Sequence, residues 1–175
     1  HDALPISRTH PERAERVVED LAALFRAALD TGPGATTLAR ELDLCRRYLD
    51  IEALRLGPRL ETRWEVDDHL DRVAVPQLVL QPLVENAVYH GVEPAVDGGT
   101  VTVTAARSPG QVVVTIHNTL ADPGAPAHRE GNRIAQDNVR QRLEGFFTGR
   151  CGFEAGPVAG GYRVEVRIPE DGGGR

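Results

Sequence analysis

Three side chains on one short stretch have the types and the spacing to hold a phosphorylated ligand: Asn86, Tyr89 and His90, within Gln81-Pro82-Leu83-Val84-Glu85-Asn86-Ala87-Val88-Tyr89-His90-Gly91. At i, i+3 and i+4 on a helix they share a face, apart from the leucines and valines that mark the buried one. An amide oxygen can complete the octahedral shell of a phosphate-bound magnesium ion, and a phenol or imidazole one turn later can reach phosphate oxygens. Alone, the three also read as an ordinary helix surface with a capping histidine before Gly91, the more frequent explanation of a lone Asn or His. The acidic cluster Asp67, Asp68 and Asp71 stands at a strand end, where a solvated turn is the more common reading than a metal site. Cys45 and Cys151 lack zinc spacing and are too few for a disulfide framework, so both read as packing residues in a reducing cytoplasm.

The elements that would position these residues emerge from periodicity. Val17, Leu21, Leu24, Phe25 and Ala28 recur at helical spacing until Thr31-Gly32-Pro33-Gly34. Thr37 can cap a second helix with an apolar stripe of Leu38, Leu42, Cys45, Leu49 and Leu56, stopped by Gly57-Pro58. So short a pair cannot bury both stripes alone; it should pack on a second copy or on the next part of the chain. From Leu60 the period becomes two, with Leu60, Trp64 and Val66 alternating with charged residues, which predicts a strand and a new domain. The run from Pro76 to Gly91 predicts a helix that Pro82 either kinks or opens. Val101/Val103 and Val112/Val114/Ile116 flank Ser108-Pro109-Gly110 as a hairpin. A Pro/Gly/Ala-rich loop over 119–131, a helix over 132–147 with Ile134, Val139, Leu143 and Phe146 inward, and strands near 152–155 and 162–168 complete an α+β layer pair with a disordered 171–175 tail.

With 175 residues, 41% of them hydrophobic, the chain can bury one core and a small helical unit besides. A net charge of -6, with arginine as its only strong base, gives no basic stripe and argues against nucleic-acid binding. No apolar run reaches the roughly 18 residues that a membrane span needs. Residues 1–7, His1-Asp2-Ala3-Leu4-Pro5-Ile6 and Ser7, read like a translated sequencing adapter. Methionine is absent, so the native start is expected elsewhere and the chain is expected to be a fragment.

The stretch Pro82-Leu83-Val84-Glu85-Asn86-Ala87-x-x-His90-Gly91 resembles the N box of the GHKL ATPases, and its wording is similar to the LytS/AlgZ group of sensor histidine kinases. The likeness continues upstream in Glu41-Leu42 and in Tyr48-Leu49-x-Ile51-Glu52-x-x-Arg55-x-Gly57-x-Arg59-Leu60. Downstream it runs through Asn138-Val139-Arg140-Gln141-Arg142-Leu143 to Pro169, a cover of about residues 8–169. The resemblance implies a two-layer α/β sandwich of the Bergerat type at 58–170, preceded at 8–57 by part of a helical dimerisation hairpin. It implies ATP and Mg2+ as ligands, with Asn86 on the metal, Tyr89 and His90 along the phosphates, and Glu85 as a candidate for polarising the reacting group.

Departures from the family pattern accompany it. Tyr89 stands where many members carry a phosphate-binding lysine. Asn118, in Ile116-His117-Asn118-Thr119-Leu120, occupies the place of the aspartate that reads the adenine amine; its amide oxygen can still accept that N–H, without about 1 to 2 kcal/mol of charge assistance. The alternative is that Asn118 merely ends an edge strand. In the glycine-rich lid Gly131 is kept, while Arg133 and Ala135 replace glycines, which restricts the backbone needed to wrap phosphate. Arg133 could offset this by pairing with the γ-phosphate, or point to solvent.

The resemblance thus implies the ATP-binding part of a sensor histidine kinase that passes the γ-phosphoryl group to a histidine, absent here, and on to a response regulator of LytTR or other type. It also implies a cytoplasmic, homodimeric module whose parent protein is anchored in the inner membrane by an upstream segment. The competing reading is a non-catalytic pseudo-kinase that controls its regulator by contact. A gyrase- or MutL-like ATPase is disfavoured, because Pro82 stands where those carry a water-activating glutamate.

Overall fold

The computed structural model describes residues 34–120 and 129–170. The first predicted helix and the 171–175 tail lie outside them. A two-stranded sheet pairs β1 (Ala35–Thr37) with β3 (Ala74–Pro76). The main sheet has five strands: β2 (Leu60–Val66), β4 (Gly99–Ser108), β5 (Gln111–Thr119), β6 (Gly152–Val158) and β7 (Gly161–Pro169), in the spatial order β2-β4-β5-β7-β6. The β2–β4 pair is parallel and the other three are antiparallel, so the sheet is mixed. Helices α1 (Leu38–Leu56), α2 (Gln81–Asn86) and α3 (Arg129–Phe147) complete the α+β layer pair.

Alternation fixes which face of the sheet is covered. Val101, Val103, Val112, Val114, Ile116, Val164, Val166 and Ile168 are all buried, while Thr102, Thr104, Thr115 and Glu165 between them are only half-buried. Helix α1 starts where its cap predicts: Thr37 Oγ1 accepts from Arg40 N at 3.3 Å, a bond of the kind that contributes about 1 kcal/mol. Its stripe, Leu38, Leu42, Cys45, Leu49 and Leu56, is buried in one continuous core with α2 and the sheet. Among the described residues, therefore, the expected division at 57/58 has the same core on both sides. Burial also pushes the Cys45 thiol well above its usual range, in keeping with a packing role.

The structure corrects several local expectations. Pro76 ends a strand rather than starting a helix, and α2 begins at Gln81 with Pro82 in its first turn, where the missing N–H costs nothing. Helix α3 starts at Arg129, three residues before the expected Asn132. Ile134 is 63% exposed, and Phe147 rather than Phe146 takes the fully buried place beside Val139 and Leu143.

Candidate functional site

Helix α2 is short because its backbone changes pitch. After Asn86 the chain widens into a π-helical turn, Ala87–Val92, closed by Glu93 N donating to Val88 O at 2.9 Å. In the wider turn the residue four positions on stays aligned with the starting one, and the residue three positions on rotates away. Asn86 and His90 accordingly line one cavity together, while Tyr89 is 64% exposed and outside its lining. The shared face expected for all three holds for two of them. The Tyr89 ring meets His90 edge-on, with centroids 4.9 Å apart. Leu83, Val84, Ala87, Val88 and Val92 press the other side of the element into the core.

The cavity encloses about 390 Å³ of empty space, its open mouth included. Asn86 and His90 lie on one wall; Asn118, Ile116 and Leu120 come from the end of β5, Tyr162 and Val164 from β7, and Gln136 from α3. The Asn86 amide nitrogen is buried without a hydrogen-bond partner among the described residues. Because oxygen and nitrogen of such an amide exchange places by a half-turn, either end can be offered to a ligand.

Asn118 does not end an edge strand: β5 lies between β4 and β7, in the middle of the sheet, and Asn118 is 5% exposed. Its Nδ2 donates to Thr119 O at 3.0 Å, which leaves Oδ1 as the acceptor. Two glycines make room for it. A Cβ on Gly91 would stand 2.1 Å from Asn118 Nδ2, and one on Gly161 would stand 2.1 Å from the Asn118 carbonyl oxygen. The glycine closing the Asn86 segment is thus needed for contact with β5.

The remaining expected site residues are not gathered here. Glu85 turns from the cavity and accepts from Gln81 Nε2 at 2.9 Å. Its charge, with that of Glu52, adds to burial in holding the Tyr48 phenol above its usual range, which places Glu85 on the α1 side. Arg133 is exposed and outside the lining, and Gly131 falls in the first turn of α3. Two lining residues escaped the sequence reading. Tyr162 donates from Oη to Gln136 Oε1 at 3.2 Å, and Gln136 is 8% exposed. The available signal was a glutamine on the apolar stripe of α3, three residues before Val139. A second, wider groove of about 760 Å³ lies beside Arg140, Phe153 and Arg163 and contains none of the expected residues. Among the described residues no three His, Cys, Asp or Glu side chains cluster to hold a metal.

Comparison with known proteins adds the family. The family described as histidine kinase matches residues 3–60. The sensor histidine kinase BtsS of Escherichia coli is 30% identical over 167 residues, covering 94% of this chain and 29% of its own length. The sensor protein LytS of Oceanobacillus iheyensis is 29% identical over 153 residues, covering 78% of this chain and 26% of its own. The chain thus spans under a third of these two curated relatives. Among solved structures, the histidine kinase domain of the blue-light-activated kinase from Erythrobacter litoralis shares the fold, with a TM-score of 0.54 and 19% identity over 91% of this chain and 75% of that one.

Proposed function

Because the chain belongs to the LytS type of sensor histidine kinases, we propose that it is the ATP-binding portion of such a kinase, which passes the γ-phosphoryl group to a histidine of a helical segment and thence to a response regulator. The observation that carries this reading is the convergence of Asn86 and His90 with Asn118 on one cavity, from elements far apart in sequence. Asn118 Oδ1 would accept the adenine amine, with Tyr162 and Gln136 beside it. The buried, unpartnered Asn86 amide suits magnesium, which takes one or two side chains and otherwise phosphate and water oxygens, and so needs no acidic cage. Bound there, magnesium supplies neutralisation of phosphate charge. His90 faces the phosphates, with Tyr89 and Arg133 at the exposed rim; Glu85 serves the reacting group after releasing Gln81. Phosphoryl transfer asks of these residues chiefly position and charge.

In this reading α1 is counted with the nucleotide-binding unit of 58–170, since their core is common, and the chain before it carries homodimerisation. The unit works in the cytoplasm, on a parent protein anchored in the inner membrane, toward a LytTR-type regulator. No helix among the described residues is long and apolar enough to cross a membrane. One observation favours the pseudo-kinase reading: the lid positions from Arg129 onward are wound into α3, with Arg133 and Ala135 in place of glycines, which restricts a close phosphate wrap. Calorimetric titration with Mg-ATP separates the two. We expect saturable binding, weakened about tenfold in Asn86→Ala; no saturable binding by the unmutated chain would sink the catalytic reading.

A further inference from the structure

Two residues of the family-like segments have no part in the cavity, yet they meet on one loop. Glu41 of α1 is 1% exposed, and its carboxylate accepts three backbone amides: Leu78 N at 2.6 Å, Val79 N at 2.9 Å and Leu80 N at 3.1 Å. Arg142 of α3 donates to the carbonyls of the same loop, Gln77 O at 2.5 Å and Leu78 O at 3.3 Å. The loop runs directly into α2, whose cap residue, Leu80, makes no side-chain capping bond.

Leu78 shows that this grip holds the backbone against its own preference. Its φ is +52°, a left-handed conformation in which the Cβ of an L residue crowds the following carbonyl oxygen. Glu41 holds its N–H and Arg142 its C=O, so both peptide groups of the strained residue are tied, one to each flanking helix. Such strain persists only where surrounding bonds over-determine it, and it concentrates at functional sites. Burial raises the pKa of Glu41, against the lowering effect of the three amides and of Arg142, so the carboxylate is kept in the core at a desolvation cost. Three amide donors converging on two carboxylate oxygens is a geometry that a glutamine, with one acceptor, cannot reproduce.

We propose that Glu41 and Arg142 are positioning residues for the magnesium–nucleotide site, acting as a two-sided clamp on Gln77–Leu80 that sets where α2 presents Asn86. This rests on the ATP-binding reading above. Asn86 is six residues beyond Leu80 on a single short helix, so a shift at the loop is delivered to its amide with little to absorb it. The clamp also joins α1 and α3 to the one element that carries the metal ligand.

The test uses the whole chain with Glu41→Gln and Arg142→Lys, each titrated with ATP in magnesium and in EDTA. In Glu41→Gln the affinity gained from magnesium should fall about fivefold, with binding in EDTA within about twofold of the unmutated chain; Arg142→Lys, which keeps the charge but loses the fork, should lose about threefold of that gain. Equal losses in both media, or none in either, would overturn the proposal. The NMR signal of the Asn86 side-chain amide, recorded without nucleotide, keeps the two ideas separable. A shifted signal in Glu41→Gln supports the clamp even if the unmutated chain binds no ATP, a result that would defeat only the ATP-binding reading. An unshifted signal overturns the clamp.

Discussion

The inner end of the cavity and its rim are built by different means. At the inner end Asn118 sits on a central strand, its amide tied to Thr119 O, with Gly91 and Gly161 flush against it and Tyr162 bonded to Gln136. At the rim that the ATP-binding reading assigns, outside the lining itself, Tyr89 is 64% exposed and Arg133 is exposed. In the ATP-binding reading proposed above, recognition of a base would be set by packing that the fold itself requires, whereas the contacts for phosphate would be exposed side chains. Changes at the inner end should cost stability and binding together, and changes at the rim should tune binding alone.

The severest break should come from Gly161→Ala, because the added Cβ meets backbone of β5 that cannot step aside; we expect about 3 kcal/mol lost in urea unfolding. Next is Asn118→Ala, which should weaken ATP by about fivefold through loss of one neutral hydrogen bond and reduce any preference for ATP over GTP in a competition assay. The mildest is Tyr89→Lys, which restores a countercharge at an exposed position. It should tighten ATP by about twofold at low salt, with the gain fading as salt is raised and the unfolding midpoint unchanged. A large stability loss in Tyr89→Lys, or none in Gly161→Ala, would remove the distinction between rim and inner end.

What was legible in the sequence was local. Thr37 as cap, the Leu38-to-Leu56 stripe, the Ser108-Pro109-Gly110 hairpin and the period-two strands each arise from neighbours a few residues away, and each is present. Of the expected site residues, Asn86, His90 and Asn118 meet at the cavity; Glu85, Tyr89 and Arg133 do not line it. The π-helical turn that separates Tyr89 from His90, with Val88 and Val92 both buried in it, is not encoded by α-helical periodicity. Gln136 with Tyr162, and Glu41 with the amides of Leu78 to Leu80, are long-range pairings, 26 and 37 to 39 residues apart. Nothing in local spacing marks them, although a glutamine and a glutamate on otherwise apolar helix stripes were the visible traces.

The central claim, that this cavity is the nucleotide site, is tested most directly by following backbone and side-chain amide NMR signals as Mg-ATP is added. Saturable shifts should concentrate at Asn86, Gly91, Asn118 and Gly161. Shifts confined to the groove beside Arg140 and Arg163, or no saturable shift anywhere, would contradict it.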